Sequence, residues 1–252
     1  MHKCVEADRK KLTDYLYQNP ALNLFIIGDL YNYGFDSEIQ DIYVDEDETG
    51  IHGLILRYRN SLLVQSDEGK IYPDFIAELI AHHQITSING EASLVEKYKL
   101  TGKENILCYF SQCKELKNAP EMTAVESFGP EDAQEISEVF KSAFKNFSAN
   151  LDEIQESLAK KLDRVYGVRV DGKIVSIARS TAECPGLAML VGVATLASFR
   201  NHGYAQQTVA KLTADLLAEG KAPCLFYENP IAARIYERLG YNRVGKWRIV
   251  RL

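Results

Sequence analysis

Residues 187–205 read Leu187-Ala-Met-Leu-Val-Gly-Val-Ala-Thr195-Leu-Ala-Ser-Phe-Arg200-Asn-His-Gly203-Tyr-Ala205. The first nine form an apolar, strand-like run, and Tyr204 to Glu219 continues as a helix-like run. A strand leading through a glycine turn into a helix makes an anion cradle. The first amides of a helix have no intrahelical partner, and the helix dipole adds partial positive charge there. Gly203 lets the backbone approach a ligand without a Cβ, and the small Ala205 keeps the first turn open. A diphosphate is the natural guest. On spacing alone, an ordinary strand-to-helix connection reads the same way.

A second segment narrows the choice. Cys224-Leu-Phe-Tyr227 is a short apolar strand, followed by Glu228. Asn229 is a good N-cap, and Pro230 suits the first helical position. Ile231, Ile235, Tyr236 and Leu239 recur at helical spacing, and Gly240 suits the helix end. This places Tyr236 on a short helix just after a strand.

Together the two segments resemble the acetyl-CoA-dependent N-acetyltransferases of the GNAT superfamily, over roughly residues 121–252. One branch carries G-V-x-T-x-x-x-x-R-x-x-G-x-A, then N-x-x-A-x-x-x-Y-x-x-x-G-[FY]. Gly192, Val193, Thr195, Arg200, Gly203 and Ala205 fill the first pattern, and Asn229, Ala232, Tyr236, Gly240 and Tyr241 the second. Asp171-Gly-Lys-Ile-Val-Ser176 looks like the hairpin that precedes the family's cofactor strand.

The resemblance implies a division of labour. Backbone groups at Val193 and Thr195 would pair with the pantetheine arm as an added strand would. The amides of Arg200, Asn201, His202, Gly203, Tyr204 and Ala205 would hold the diphosphate. Asn229 and Ala232 would line the cofactor, and Tyr236 would protonate the departing thiolate. The general base does not carry over, because Leu187-Ala-Met-Leu190 lacks the carboxylate that many relatives place there. Glu183 and Glu228 are the substitutes, and a water relay is the alternative. Asn201 and His202 depart from the commoner residues, but the cradle rests on backbone amides and not on those side chains.

Composition sets outer bounds. The 252 residues are 46% hydrophobic and 25% charged, as in a globular protein of one large or two modest domains. A net charge of −6 argues against non-specific nucleic-acid binding. The five cysteines, Cys4, Cys108, Cys113, Cys184 and Cys224, are scattered, and no His completes a zinc pattern beside Cys108 and Cys113. We therefore expect free thiols, no metal and a cytoplasmic protein, with neither a signal core nor a membrane-length run.

The polar stretch Lys114–Glu121 suggests a boundary, giving domains 1–117 and 118–252. The second domain reads as a mixed α+β sheet of GNAT type that binds acetyl-CoA, ending in a strand pair near 242–252. The first half reads as helix to Tyr33, strands near 39–44, 50–58 and 61–65, a helix over 72–82 and strands near 85–90 and 106–111. That order echoes the second half, yet nothing before residue 118 matches R-x-x-G-x-A. We expect two tandem GNAT-like domains, the first degenerate or accessory. The expected activity is acetyl transfer from acetyl-CoA, as co-substrate, to a primary amine of a small or amino-acid-like acceptor. A silent CoA-binding module and an aminoacyl transferase of tandem type are the alternatives. No nucleic-acid or membrane partner is expected. A final strand left exposed would offer an edge for a homodimer.

Overall fold

A computed structural model describes residues 1–144 and 150–252. These fall into two compact units, Met1–Phe110 with Val244–Leu252, and Ser111–Arg243. The final residues therefore belong with the first unit, whereas a cut at 117/118 would leave them with the second.

The first unit starts with strand β1 (His2–Lys3) and helices α1 (Arg9–Leu16) and α2 (Leu24–Tyr33). The helical run breaks around Asn19-Pro20, where proline disfavours helix in the residue before it. An antiparallel meander follows, β2 (Gln40–Asp47), β3 (Gly50–Tyr58) and β4 (Ser61–Gln65). Helix α3 (Pro73–His82) crosses to β5 (Ser87–Glu91), which runs parallel to β4. Helix α4 (Ala92–Lys97) and strand β6 (Glu104–Cys113) come next, and β12 (Tyr241–Arg251) pairs antiparallel with β5. Ile55, Leu62, Val64, Ile76, Leu79, Ile88 and Val250 form a buried cluster between sheet and helices. The acidic stretch 45–50 is a charged turn, with Asp45 bonded to Lys70, Glu46 to Lys11, and Asp47 to Thr49 and His52.

The second unit repeats this order. Strand β7 (Val125–Phe128) leads to α5 (Ala133–Ala143) and α6 (Leu151–Ala159). An antiparallel meander follows, β8 (Arg164–Val170), β9 (Lys173–Cys184) and β10 (Leu187–Thr195). Asp171 and Gly172 both have positive φ, 49° and 79°, as a two-residue hairpin turn requires. Helix α7 (Tyr204–Ala218) crosses to β11 (Ala222–Tyr227), parallel to β10, and α8 (Pro230–Arg238) follows. Helix α5 buries Ala133, Ile136, Val139 and Phe140, a helical stripe, against Val165, Ile174, Ile177 and Ala194 of the sheet.

Along the chain, β1 to β6 and β7 to β12 thus run in the same order, a strand, two helices, three antiparallel strands, a helix, a parallel strand, a helix and a long strand, although most of β12 lies with the first unit. The mixed α+β architecture and the tandem arrangement expected from the sequence are both present. One expectation fails. The segment after Tyr241 is one strand of 11 residues and not a pair, because Gly245 does not take the left-handed backbone that a tight hairpin turn needs. Nor is that strand an exposed edge, since β12 lies between β5 and β6 in the strand order. It offers no site for strand-to-strand dimerisation.

The units differ where the parallel strands meet. Strands β4 and β5 pair from Ser61/Ser87 to Val64/Gly90, and each ends one residue later. Strands β10 and β11 pair only from Leu187/Ala222 to Leu190/Leu225, while β10 runs on to Thr195. The register of β10 against β9 also shifts between Val191 and Ala194, and Gly192 there has φ +61°. This bulge turns the end of β10 away from β11 and leaves backbone groups unpaired on that side.

Candidate active site

Two adjacent parallel strands, β10 and β11, end at the same edge of the second unit's sheet. Ligands bind at such carboxyl ends in open α/β sheets, because the following loops and helix N-termini converge there. Val193 and Thr195 lie at the end of β10, and residues 200–205 follow it. Glu228, Asn229, Ala232 and Tyr236 follow the other.

The cradle is built from backbone. Asn201 and Gly203 have φ +66° and +81°, so the chain turns tightly twice before α7. Among the described residues, the amides from Asn201 to Gln206 donate to no group of the chain; the first helical bond is Gln207 N–H to Gly203 O at 3.0 Å. Arg200 Nε donates to Thr195 O at 3.2 Å, and His202 Nδ1 lies 2.8 Å from Arg200 O. His202 also stacks on Tyr204, their rings inclined by 12°. These side chains brace the loop, and residues 201–203 are exposed, as a backbone anion cradle requires.

Helix α8 forms as its sequence dictates. Asn229 Oδ1 accepts from Ile231 N–H at 2.8 Å, Pro230 fills the first turn, and Gly240 ends the helix at φ +97°. The half-buried Ala232 lies one turn before Tyr236 on the same face. Tyr236 is 6% exposed, its ring 5.6 Å from that of Tyr227 and 5.9 Å from that of Tyr241. Those two neighbours have engaged hydroxyls: Arg243 donates to Tyr227, and Thr213 bonds Tyr241. Among the described residues, nothing bonds the Tyr236 hydroxyl. Burial pushes its pKa up to about 12, so it holds its proton throughout the neutral range. Glu228 is exposed at the end of β11.

Glu183 does not join this group. Cys184 pairs with Leu187, so Glu183 lies beside the start of β10, at the end opposite the bulge. Its carboxylate accepts from Arg164, Lys221 and Ser180, at 2.7, 2.8 and 2.5 Å. Burial alone would raise its pKa, but the hydrogen bonds from Arg164, Lys221 and Ser180 outweigh that and lower it. A carboxylate so occupied is a poor proton acceptor, and the general-base assignment is withdrawn for this residue. Glu183→Gln is expected to leave turnover within about twofold while lowering Tm, because Arg164 and Lys221 lose a partly buried partner. The bonds from Arg164 also hold Glu219 near about 2. Both carboxylates are depressed in the folded state. Their contribution is full above the ordinary value of 4.5 and is lost as pH falls through the folded values. A denaturation series from pH 6 to pH 2 should show the midpoint falling below pH 4.5, with a smaller fall in the Glu183→Gln variant.

Two supporting residues escaped the sequence. The fully buried Ser176 hydroxyl lies 2.8 Å from Thr195 Oγ1 and donates to Ala194 O at 3.3 Å, pinning the bulge. Phe140 packs beneath Gly192, where any Cβ would overlap its ring. A serine and a phenylalanine in apolar runs carry no sequence signal of such a role.

A family model described as GNAT acetyltransferase matches residues 82–250, two thirds of the chain. A GCN5-related N-acetyltransferase-like protein of Streptococcus suis is similar, with a TM-score of 0.63 at 16% identity over 98% of this chain and 99% of that one. A GCN5-related N-acetyltransferase of Sphaerobacter thermophilus gives 0.66 at 15% identity over 100% and 94%. A tandem GNAT protein from the clavulanic acid biosynthesis pathway gives 0.57 at 13% identity over 98% and 96%. At these identities the likeness is one of fold. No curated protein sequence matches the chain. No helix among the described residues is long and apolar enough to cross a membrane.

Proposed function

The chain belongs to the GNAT acetyltransferase family, and we propose that it transfers an acetyl group from acetyl-CoA to a primary amine of a small or amino-acid-like acceptor. The observation that carries this proposal is the run of unbonded amides from Asn201 to Gln206 at the start of α7, beside an opened strand. Those amides would hold the diphosphate. Val193 and Thr195, on the part of β10 that β11 does not pair, would take the pantetheine arm as a neighbouring strand. When bound, acetyl-CoA supplies an activated thioester.

The chain's own contributions are then positioning and proton control. Tyr236, protonated at neutral pH and bonded to no group among the described residues, would donate its proton to the leaving thiolate. Asn229 holds the N-terminus of α8 and so orients Tyr236. Of the two carboxylates named from the sequence, Glu228 remains, and it would accept the amine proton directly or through one water. We assign acetyl-CoA binding to the second unit alone. Strands β4 and β5 of the first unit stay paired nearly to their ends and leave no comparable opening.

Calorimetric titration with acetyl-CoA, followed by a thiol-release assay over a panel of amines, tests the proposal. Binding with amine-dependent thiol release is expected. Binding without turnover on any amine would favour a silent CoA-binding module, and no binding would remove the cofactor assignment.

A further inference from the structure

The N-terminal edge of the first unit gathers three donors of different chemistry. Strand β1 pairs with β2 through His2/Val44 and Lys3/Tyr43, and Cys4 N–H donates to Ile42 O at 2.8 Å. Strand alternation places His2 and Cys4 on one side. The chain then turns at once. Asp8 N–H donates to Val5 O, and Val5 N–H to Asp8 Oδ2, both at 2.9 Å, so Asp8 folds back toward the strand. One ligand atom from each of His2, Cys4 and Asp8 lies within 4.8 Å of the other two.

We propose that His2, Cys4 and Asp8 form a binding site for a zinc-like divalent ion. Imidazole, thiolate and carboxylate together suit zinc better than magnesium or calcium, which take oxygen donors. Tetrahedral zinc with bonds of about 2.0–2.3 Å holds its ligand atoms about 3.3–3.8 Å apart, so the cluster needs only a small closure. The fold-back bond from Val5 N–H to Oδ2 orders the Asp8 carboxylate, as hydrogen bonds order metal-binding carboxylates. Glu46, 3.7 Å from His2 Nε2, adds negative charge beside the ring and is itself paired with Lys11. Three protein donors leave a fourth position for water. The site rests on backbone pairing within the first unit and is independent of acyl transfer. The three residues lie within seven positions, and the turn after Val5 is what brings Asp8 back beside His2 and Cys4.

The test is calorimetric titration of the 252-residue chain with zinc chloride after dialysis against EDTA, beside His2→Ala and Cys4→Ser variants. Cobalt substitution gives a second readout, the thiolate charge-transfer absorption. One zinc per chain is expected for wild type, bound at least about tenfold more weakly by either variant. The cobalt band should vanish in Cys4→Ser. His2 is exposed, so His2→Ala keeps the fold and decides the matter should Cys4→Ser fail to fold. Absence of zinc binding by wild type would overturn the proposal. So would affinity unchanged by His2→Ala, which would place the ion on other cysteines.

Discussion

Gly203→Val is expected to weaken acetyl-CoA binding by at least about 30-fold while leaving a folded protein. The argument starts from backbone. Gly203 has φ +81°, and a β-branched residue there costs roughly 2 kcal/mol, which is about 30-fold in affinity if the ligand must restore that geometry. An added Cβ would meet nothing inside the protein closer than Gln207 Nε2 at 3.8 Å, so packing does not suffer. The damage falls on the turn itself. A residue that escapes the left-handed region swings the amides of 201–206 out of convergence, and these are groups with no partner among the described residues. Calorimetry beside circular dichroism checks both halves of the expectation. Unchanged affinity in a folded variant would remove the diphosphate from this turn, and with it the basis for placing acetyl-CoA here. Gly192→Ala makes an instructive contrast. It combines φ +61° with a direct overlap on Phe140, so stability and binding should fall together.

The same residues explain what the sequence discloses and what it hides. Gly203, Asn229, Pro230 and Gly240 are legible because each answers a local backbone demand, a left-handed turn or a helix end, that few other residues meet. The alternation of strands with helices is legible for the same reason, and in the sequence itself the order in the first half echoes that in the second. Glu183 was misjudged because its fate depends on Arg164, Glu219 and Lys221, which the β8–β9 pairing and the end of α7 bring to it from 19 to 38 residues away. Charge near a strand end is no guide to which carboxylate is already spoken for. The strand pair expected near 242–252 is a single strand because Gly245, lacking a left-handed φ, continues β12. The tyrosines of the first half occupy separate surface and core positions. Tyr15 is buried and donates to Gln65, Tyr43 packs edge-on against Phe75, and Tyr31 is 63% exposed.

Tyr236→Phe should lower kcat by about 100-fold or more, the ordinary worth of a positioned general acid, with acetyl-CoA affinity held within about twofold. The substitution removes one oxygen and keeps the ring, so the packing on Tyr227 and Tyr241 survives. Nothing in the fold needs that hydroxyl, because no described group bonds it, and the helix end is held by Asn229 independently. A structural role would therefore predict little change in either rate or stability, and a binding role would predict a loss in affinity alone. The pH profile separates these further. An acid with pKa raised to about 12 stays protonated as pH climbs, while the amine acceptor loses its proton and becomes nucleophilic. In wild type, kcat should rise through the acceptor's pKa and show no alkaline fall below pH 10. An alkaline fall centred well below 10, persisting in the phenylalanine variant, would assign the acid to another group and leave Tyr236 as packing.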